Sequence, residues 1–318
     1  MHFCAISSML PVPSCIHITS FTYPSSPITP PPNMSTKNLS ISSSFSLVNS
    51  NHKIPQLGFG VYQSPPDVCV ASCKTALEAG YRHIDTAQYY ENEAEVGRAL
   101  QESNVPREQV YITTKILFAG DDAASTYEKL VESVEKLAGR HGYVDLFLIH
   151  SPNFGAEKRK LMWNALEKLK QEGRTRDIGV SNYGIGQIKE IASIATSDKV
   201  PAVNQIELHP WCQQRAVVKY CQENNIAIEA YCPIVRNQKA TDKTLVSIAE
   251  KHRVEPNQVL IRWSLQKGFI PLPKSDSPSR IAKNADVFGF ALDERDMEML
   301  DELDEGDKGA IVQAVVNE

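Results

Sequence analysis

The chain has 318 residues, a hydrophobic fraction of 42% and a formal net charge of −5. That suits one large α/β domain or two small ones and leaves no basic surface for nucleic acid or anionic lipid. Its longest apolar runs, such as residues 146–149, fall far short of the ~20 residues a membrane span needs. The seven cysteines are scattered and odd in number, so they do not read as a disulfide framework. Cys69 and Cys73 lie one helical turn apart with no second Cys or His pair to complete a zinc site. Buried thiols in a reducing compartment are expected, hence a cytoplasmic protein without a bound metal.

Residues 1–44 are rich in Ser and Pro, with Pro24, Pro27, Pro30, Pro31 and Pro32 close together and no Lys or Arg before Lys37. A secretory signal wants a positive start and an unbroken apolar run, and a mitochondrial presequence wants arginines on an amphipathic helix. Neither pattern is present. The segment reads as a disordered extension, with a second start available at Met34. The sequons at Asn33 and Asn38 therefore carry little weight.

From residue 45 the pattern becomes regular and reads as one domain, 45–318. Runs 45–48 and 53–55 flank an Asn-Ser-Asn turn and predict a β-hairpin. Short apolar runs follow at 57–61, 83–84, 110–114, 145–149, 177–180, 202–206, 227–230 and 270–273. The first of these also fits the lead-in to the domain, so the count of eight strands is approximate. Helical periodicity marks 66–79, 93–102, 126–139, 160–171 and 213–224, as in Leu130, Val134 and Leu137. Gly80, Gly139 and Gly173 are placed to stop three of these helices. The acidic run 298–307 reads as a solvated helix face.

Strand and helix alternating about eight times over this length predict an α/β fold of the (β/α)8 TIM-barrel type, its bottom closed by the N-terminal hairpin. A doubly wound sheet would want G-x-G-x-x-G after its first strand. Gly58-Phe59-Gly60 begins that motif, but Gln63 stands where its third glycine belongs.

In such a barrel the functional groups sit at the carboxyl ends of the strands. Those ends supply Asp85, Tyr89 and Tyr90, then Lys115, His150, Ser181 and Asn182. Gln205 and Glu207, Tyr231, and Lys274 and Ser275 follow. Each has a plain structural explanation alone: a capping Asp, a solvated Lys, a packed Tyr. Their recurrence at nearly every strand end favours a site.

The chain resembles the aldo-keto reductase superfamily. The matching segments are Leu57-Gly58-Phe59-Gly60, the run from Gly80 to Ala87, Leu148-Ile149-His150, and Gly179-Val180-Ser181-Asn182. The run from Asn204 to Pro210 and that from Ile270 to Ser275 complete them, in order, and the likeness spans about 45–303. The resemblance implies a catalytic tetrad of Asp85, Tyr90, Lys115 and His150. Carbonyl reduction needs a hydride at carbon, from the cofactor, and a proton at oxygen. Tyr90 would be the general acid, its pKa lowered by the Lys115 ammonium, which Asp85 holds. His150 would orient and polarise the carbonyl.

The same resemblance implies that Ser181, Asn182 and Gln205 bind the nicotinamide carboxamide and that Tyr231 stacks on its ring. Lys274, Ser275, Arg280 and Asn284 would grip the adenosine 2′-phosphate and adenine, so the cofactor implied is NADPH. Two residues depart from the family's pattern there: Asp276, a carboxylate where many relatives carry an apolar or neutral residue, and Lys283, where a glutamate is frequent. Tyr89, Leu117, His150 and Ser151 would line the substrate pocket. Leu117 and Ser151 replace two tryptophans of many aldehyde reductases, and the tail after Asp307 is short, so an open pocket is expected. The function implied is NADPH-dependent reduction of small aldehydes or ketones by a monomer or weak dimer. The alternatives are a cofactor-binding regulatory subunit with little turnover, like the family's potassium-channel β subunits, or an alcohol dehydrogenase working oxidatively.

Overall fold

The computed structural model describes residues 39–48 and 50–316. Expectations for 1–38, including the start at Met34, lie outside the described residues. Leu39 and Ile41 pack against the main core, and the first strand starts at Ser44. Described, packed chain thus reaches back beyond residue 45.

β1 (Ser44–Ser46) and β2 (Lys53–Pro55) form the expected antiparallel hairpin. The next eight strands are all parallel and lie in sequence order: β3 (Phe59–Gly60), β4 (His83–Asp85), β5 (Tyr111–Ile116), β6 (Val144–Ile149), β7 (Thr175–Ser181), β8 (Val203–Glu207), β9 (Ala227–Tyr231) and β10 (Ile270–Pro271). The first and last are joined by Gly58 N to Pro271 O and Gly60 N to Pro273 O, each 3.1 Å, which closes the barrel. Run 57–61 is therefore a barrel strand. Gly58 serves this seam: a Cβ there would lie 2.4 Å from Leu272 and 2.8 Å from His83. The glycines that open a dinucleotide-like motif are thus explained by barrel closure.

Ten helices pack around the strands among the described residues: α1 (Pro66–Glu78), α2 (Glu93–Glu102), α3 (Ala123–Ala138), α4 (Ala156–Gln171), α5 (Ile185–Ile194), α6 (Arg215–Glu223), α7 (Lys243–His252), α8 (Pro256–Gln266), α9 (Pro278–Ala285) and α10 (Glu294–Asp301). α3 starts three residues before the periodicity suggests, because Asp122 caps it by accepting from Ser125 N at 2.8 Å. The three glycines past α1, α3 and α4 have φ of 98°, 76° and 71°, a region that only glycine enters at little cost.

Alternation along each strand sorts the residues. Ile84, Ile112, Phe147, Val180, Ile206 and Ile228 face the helices in the main core. Tyr111, Leu146, Leu148, Val203, Ala227 and Ile270 form a second apolar cluster with Leu47 and Ile54 of the hairpin segment. That cluster fills the amino end of the barrel, and His52 pins the hairpin by a 2.9 Å contact with Asp177. Higher in the barrel the inward side chains turn polar, and there the site begins.

Candidate active site

A cavity of about 780 Å³ opens at the carboxyl ends of the strands. Asp85, Tyr89, Tyr90, Leu117, His150, Ser151, Ser181, Asn182, Gln205, Tyr231, Lys274, Ser275, Arg280 and Asn284 all line it. Of the strand-end residues expected from sequence, Lys115 and Glu207 do not. Lys115 is the one that bears on the site. It lies beneath, wholly buried, and reaches the cavity through its partners.

Lys115 Nζ donates to Asp85 Oδ1 at 2.7 Å, to Thr86 O at 2.8 Å and to the Tyr90 hydroxyl at 3.3 Å. All three ammonium hydrogens are used. Because Tyr90 accepts from Lys115, its own hydrogen remains free to be donated. The Tyr90 ring packs at 4.9 Å from that of Tyr62 and 5.6 Å from that of His150.

The electrostatics correct one expectation. Burial, and next the Asp85 carboxylate, push the Tyr90 phenol well above its ordinary pKa, the reverse of the lowering expected from Lys115. Tyr90 therefore holds its proton throughout the physiological range. Burial also raises Asp85 against the opposing pull of Lys115. Burial, then Lys115, lower His150 to about 3. Its imidazole is neutral, with a buried, unpartnered Nδ1.

The residues expected at the nicotinamide form a connected set. Ser181 Oγ donates to Gln205 O at 2.9 Å. Asn182, in the left-handed region at φ 62°, donates from Nδ2 to His150 O at 3.0 Å and accepts the Tyr231 hydroxyl at 2.8 Å. Asn182 thus ties the His150 loop to Tyr231 besides facing the cavity. Gln205 Nε2 donates to Asp85 Oδ2 at 2.8 Å and to Glu229 Oε2 at 2.6 Å. Two carboxylates fix the amide nitrogen toward them, which leaves the carbonyl Oε1 as the free acceptor. Glu229 was not anticipated. It sits mid-strand in an apolar run, and its only sequence signal is a charge inside a buried strand.

Around Lys274 the structure resolves the role of Asp276. Its carboxylate is in an ion pair with Lys274 and accepts from Ser64 Oγ at 2.6 Å and Ser72 Oγ at 3.0 Å. Arg280 makes no ion pair among the described residues and only a 3.4 Å contact with Ser275 Oγ. Lys283 is paired with Glu255 and does not line the cavity. A cavity with a half-buried proton donor at one end, and at the other a guanidinium that makes no ion pair among the described residues, suits a long anionic dinucleotide.

The pocket is less open than its short tail implies. Val312 and Gln313 line the cavity. Their backbone N–H groups, with that of Ile311, donate to the buried Glu207 carboxylate at 2.5–2.8 Å. Glu207, read as a strand-end site candidate, is thus an anchor for the tail. The 232–237 loop forms another wall unseen in the sequence. Cys232, Val235, Arg236 and Asn237 all have positive φ there, which is strained for a β-branched residue.

A closed barrel with a buried Lys–Asp pair under a cavity-lining tyrosine sets a proton donor at the carboxyl ends of its strands. The model of the Aldo/keto reductase family matches residues 56–305. A 9,11-endoperoxide prostaglandin H2 reductase of Trypanosoma cruzi is 42% identical over 81% of this chain and 90% of its own length. A glyoxal reductase of Bacillus subtilis is 38% identical over 80% and 91%. The crystal structure of an aldo/keto reductase from Brucella melitensis superposes with a TM-score of 0.78 at 39% identity, covering 84% of this chain and 99% of that one. The chain belongs to the aldo/keto reductase family. Among the described residues no helix is long and apolar enough to cross a membrane.

Proposed function

We propose that this protein is an NADPH-dependent reductase of aldehydes and ketones. The observation that carries the reading is the Tyr90 hydroxyl, which accepts from Lys115 at 3.3 Å and so keeps its own hydrogen for a ligand in the cavity. The bound cofactor supplies a hydride to the carbonyl carbon. Tyr90 gives its proton to the carbonyl oxygen, the alcohol forms, and Lys115 stabilises the tyrosinate left behind. Neutral His150 offers one N–H to the same oxygen. Gln205 Oε1 would accept from the nicotinamide carboxamide, Ser181 and Asn182 would hold it beside Gln205, and Tyr231 would pack on the ring. Arg280, Lys274, Ser275 and Asn284 hold the adenosine end. Tyr89, Leu117 and Ser151 border the substrate.

The names of the two reductase relatives support the reductive direction. Among the described residues the five cysteines, Cys69, Cys73, Cys212, Cys221 and Cys232, form no disulfide, which fits a reducing compartment, and the cytoplasm is the location proposed. The test is consumption of NADPH with a panel of small, branched and aromatic aldehydes and ketones, run beside NADP+ with the matching alcohols. Turnover in the reductive direction is expected. Cofactor binding without turnover in either direction would replace the reading by a regulatory one. Leu117→Trp should shift preference toward small aldehydes. An unmodified enzyme that accepts only short aldehydes would remove the open-pocket argument.

A further inference from the structure

We propose, resting on the reading above, that Glu229 makes this site distinguish oxidised from reduced nicotinamide according to pH. Its carboxylate and that of Asp85 share the one amide NH2 of Gln205, with a single ammonium, Lys115, for both.

The geometry sets the charge count. Glu229 is wholly buried in β9, in register with Gln205 of β8. Gln205 Nε2 gives one hydrogen to Asp85 Oδ2 at 2.8 Å and the other to Glu229 Oε2 at 2.6 Å. Lys115 commits its contact to Asp85 at 2.7 Å. Among the described residues the other carboxylate oxygen of Glu229 has no hydrogen bond, and its polar neighbour is His83 Nε2 at 3.5 Å. Two buried carboxylates beside one cation retain a proton between them, since the second negative charge finds no partner. The carboxylate that keeps Lys115 stays ionised, so the proton resides on Glu229. Burial, with Asp85 adding to it, accordingly raises Glu229 to about 8.

The neighbours on every side leave Glu229 as the group that titrates near neutrality. From β4, His83 is lowered to about 3 by burial and is neutral, and Asp85 is held by Lys115. From β5, Lys115 is the cation and the Tyr111 phenol is pushed well above its usual range. β8 contributes the uncharged Gln205. β10 and the hairpin segment contribute Ile270, Leu272 and Leu47, which are apolar. Toward the cavity, Tyr90 is raised and Cys232 lies at about 11.

The consequence reaches the ligand through Gln205. An oxidised nicotinamide ring carries a positive charge that the reduced ring lacks. Ionised Glu229 therefore favours the oxidised form, and protonated Glu229 removes that preference. It also adds a negative charge that raises Tyr90 further, so reduction is disfavoured as Glu229 ionises. By reciprocity, binding the oxidised cofactor releases a proton where the reduced one does not.

The experiment measures Kd for NADP+ and NADPH by tryptophan fluorescence, for wild type and Glu229→Gln, from about pH 6.5 to about pH 9.5. The 2′-phosphate is common to both ligands and cancels in the ratio. In the wild type the ratio Kd(NADP+)/Kd(NADPH) should fall roughly fivefold or more as pH rises. In Glu229→Gln it should stay flat. A second readout needs no variant: at about pH 8, a coloured indicator should show proton release on adding NADP+ and none on adding NADPH. A flat wild-type ratio, or the same slope in Glu229→Gln, overturns the inference. Failure of both cofactors to bind the wild type would instead overturn the functional reading beneath it.

Discussion

Lys115 Nζ stands 3.3 Å from the Tyr90 hydroxyl oxygen and 4.8 Å from the centre of its ring, so the ammonium is the donor and the phenol keeps its hydrogen. The arrangement predicts a simple asymmetry. Tyr90→Phe keeps the ring packing on Tyr62 and His150 and loses the hydroxyl, both its transferable proton and the long 3.3 Å contact from Lys115. Folding and cofactor affinity should stay close to wild type while kcat falls ~10²–10⁴-fold, the usual worth of a general acid. Comparable kcat in mutant and wild type would exclude Tyr90 as the acid.

The same lysine is a structural commitment. Its ion pair with Asp85 is buried on both sides, at 0% and 5% side-chain exposure. Removing one partner of a buried pair leaves an uncompensated charge and costs about 3–5 kcal/mol, whereas removing both costs far less. Lys115→Met should lose that much in urea unfolding, and the double variant with Asp85→Asn should recover most of it. A Lys115→Met variant as stable as wild type would mean that Asp85 is already protonated.

Glu229 gives a stability prediction with a definite sign. Its folded pKa is about 8, against about 4.3 for an unfolded Glu. Between those values the folded state holds a proton that the unfolded state has released. Stability therefore falls as pH rises through this window, by about 1.4 kcal/mol per unit for one group, and levels off above the folded pKa. Glu229→Gln removes this loss. Its melting temperature should exceed that of wild type most clearly near pH 9, and the gap should narrow toward pH 5. A gap independent of pH would show that Glu229 does not titrate in the fold.

Much of this was legible because the chemistry sits where period-two strands stop. Asp85, Lys115, His150, Ser181 and Tyr231 are each at or beside a strand's carboxyl end, so a list of strand ends finds them. Glu229 escaped because it stands between apolar residues of one strand, and a charge there has meaning only once the facing Gln205 and Asp85 are known. The tail escaped for the same reason. Its contribution depends on Glu207, 104 to 106 residues earlier, accepting three backbone N–H groups. α5 and α7 to α10 were not assigned from periodicity. The sequence shows that a lysine can stand near Tyr90 but not the burial and the Asp85 carboxylate that raise its phenol.

The Lys274–Asp276 pair bears on cofactor choice, where NADPH is expected over NADH. The two cofactors differ by the 2′-phosphate, so preference must come from cations that NADH does not use. Arg280 makes no ion pair among the described residues, and its planar fork can hold a phosphate through two hydrogen bonds. Lys274 is already neutralised by Asp276, which is further held by Ser64 and Ser72. Arg280 should therefore carry most of the discrimination. Arg280→Ala should lower kcat/KM with NADPH by ~1.5–3 kcal/mol, roughly ten- to a hundredfold, and leave NADH little changed. Lys274→Ala alone should cost much less. Asp276→Asn keeps an oxygen for the two serines and releases the Lys274 charge, so it should improve NADPH use about two- to fivefold, the range of a partly exposed pair. In that background Lys274→Ala should become costly, which a double-mutant cycle reads as coupling between the two residues. Equal losses with both cofactors in Arg280→Ala would show that Arg280 does not read the phosphate. Additive Lys274 and Asp276 effects would show that the ion pair has no part in the preference.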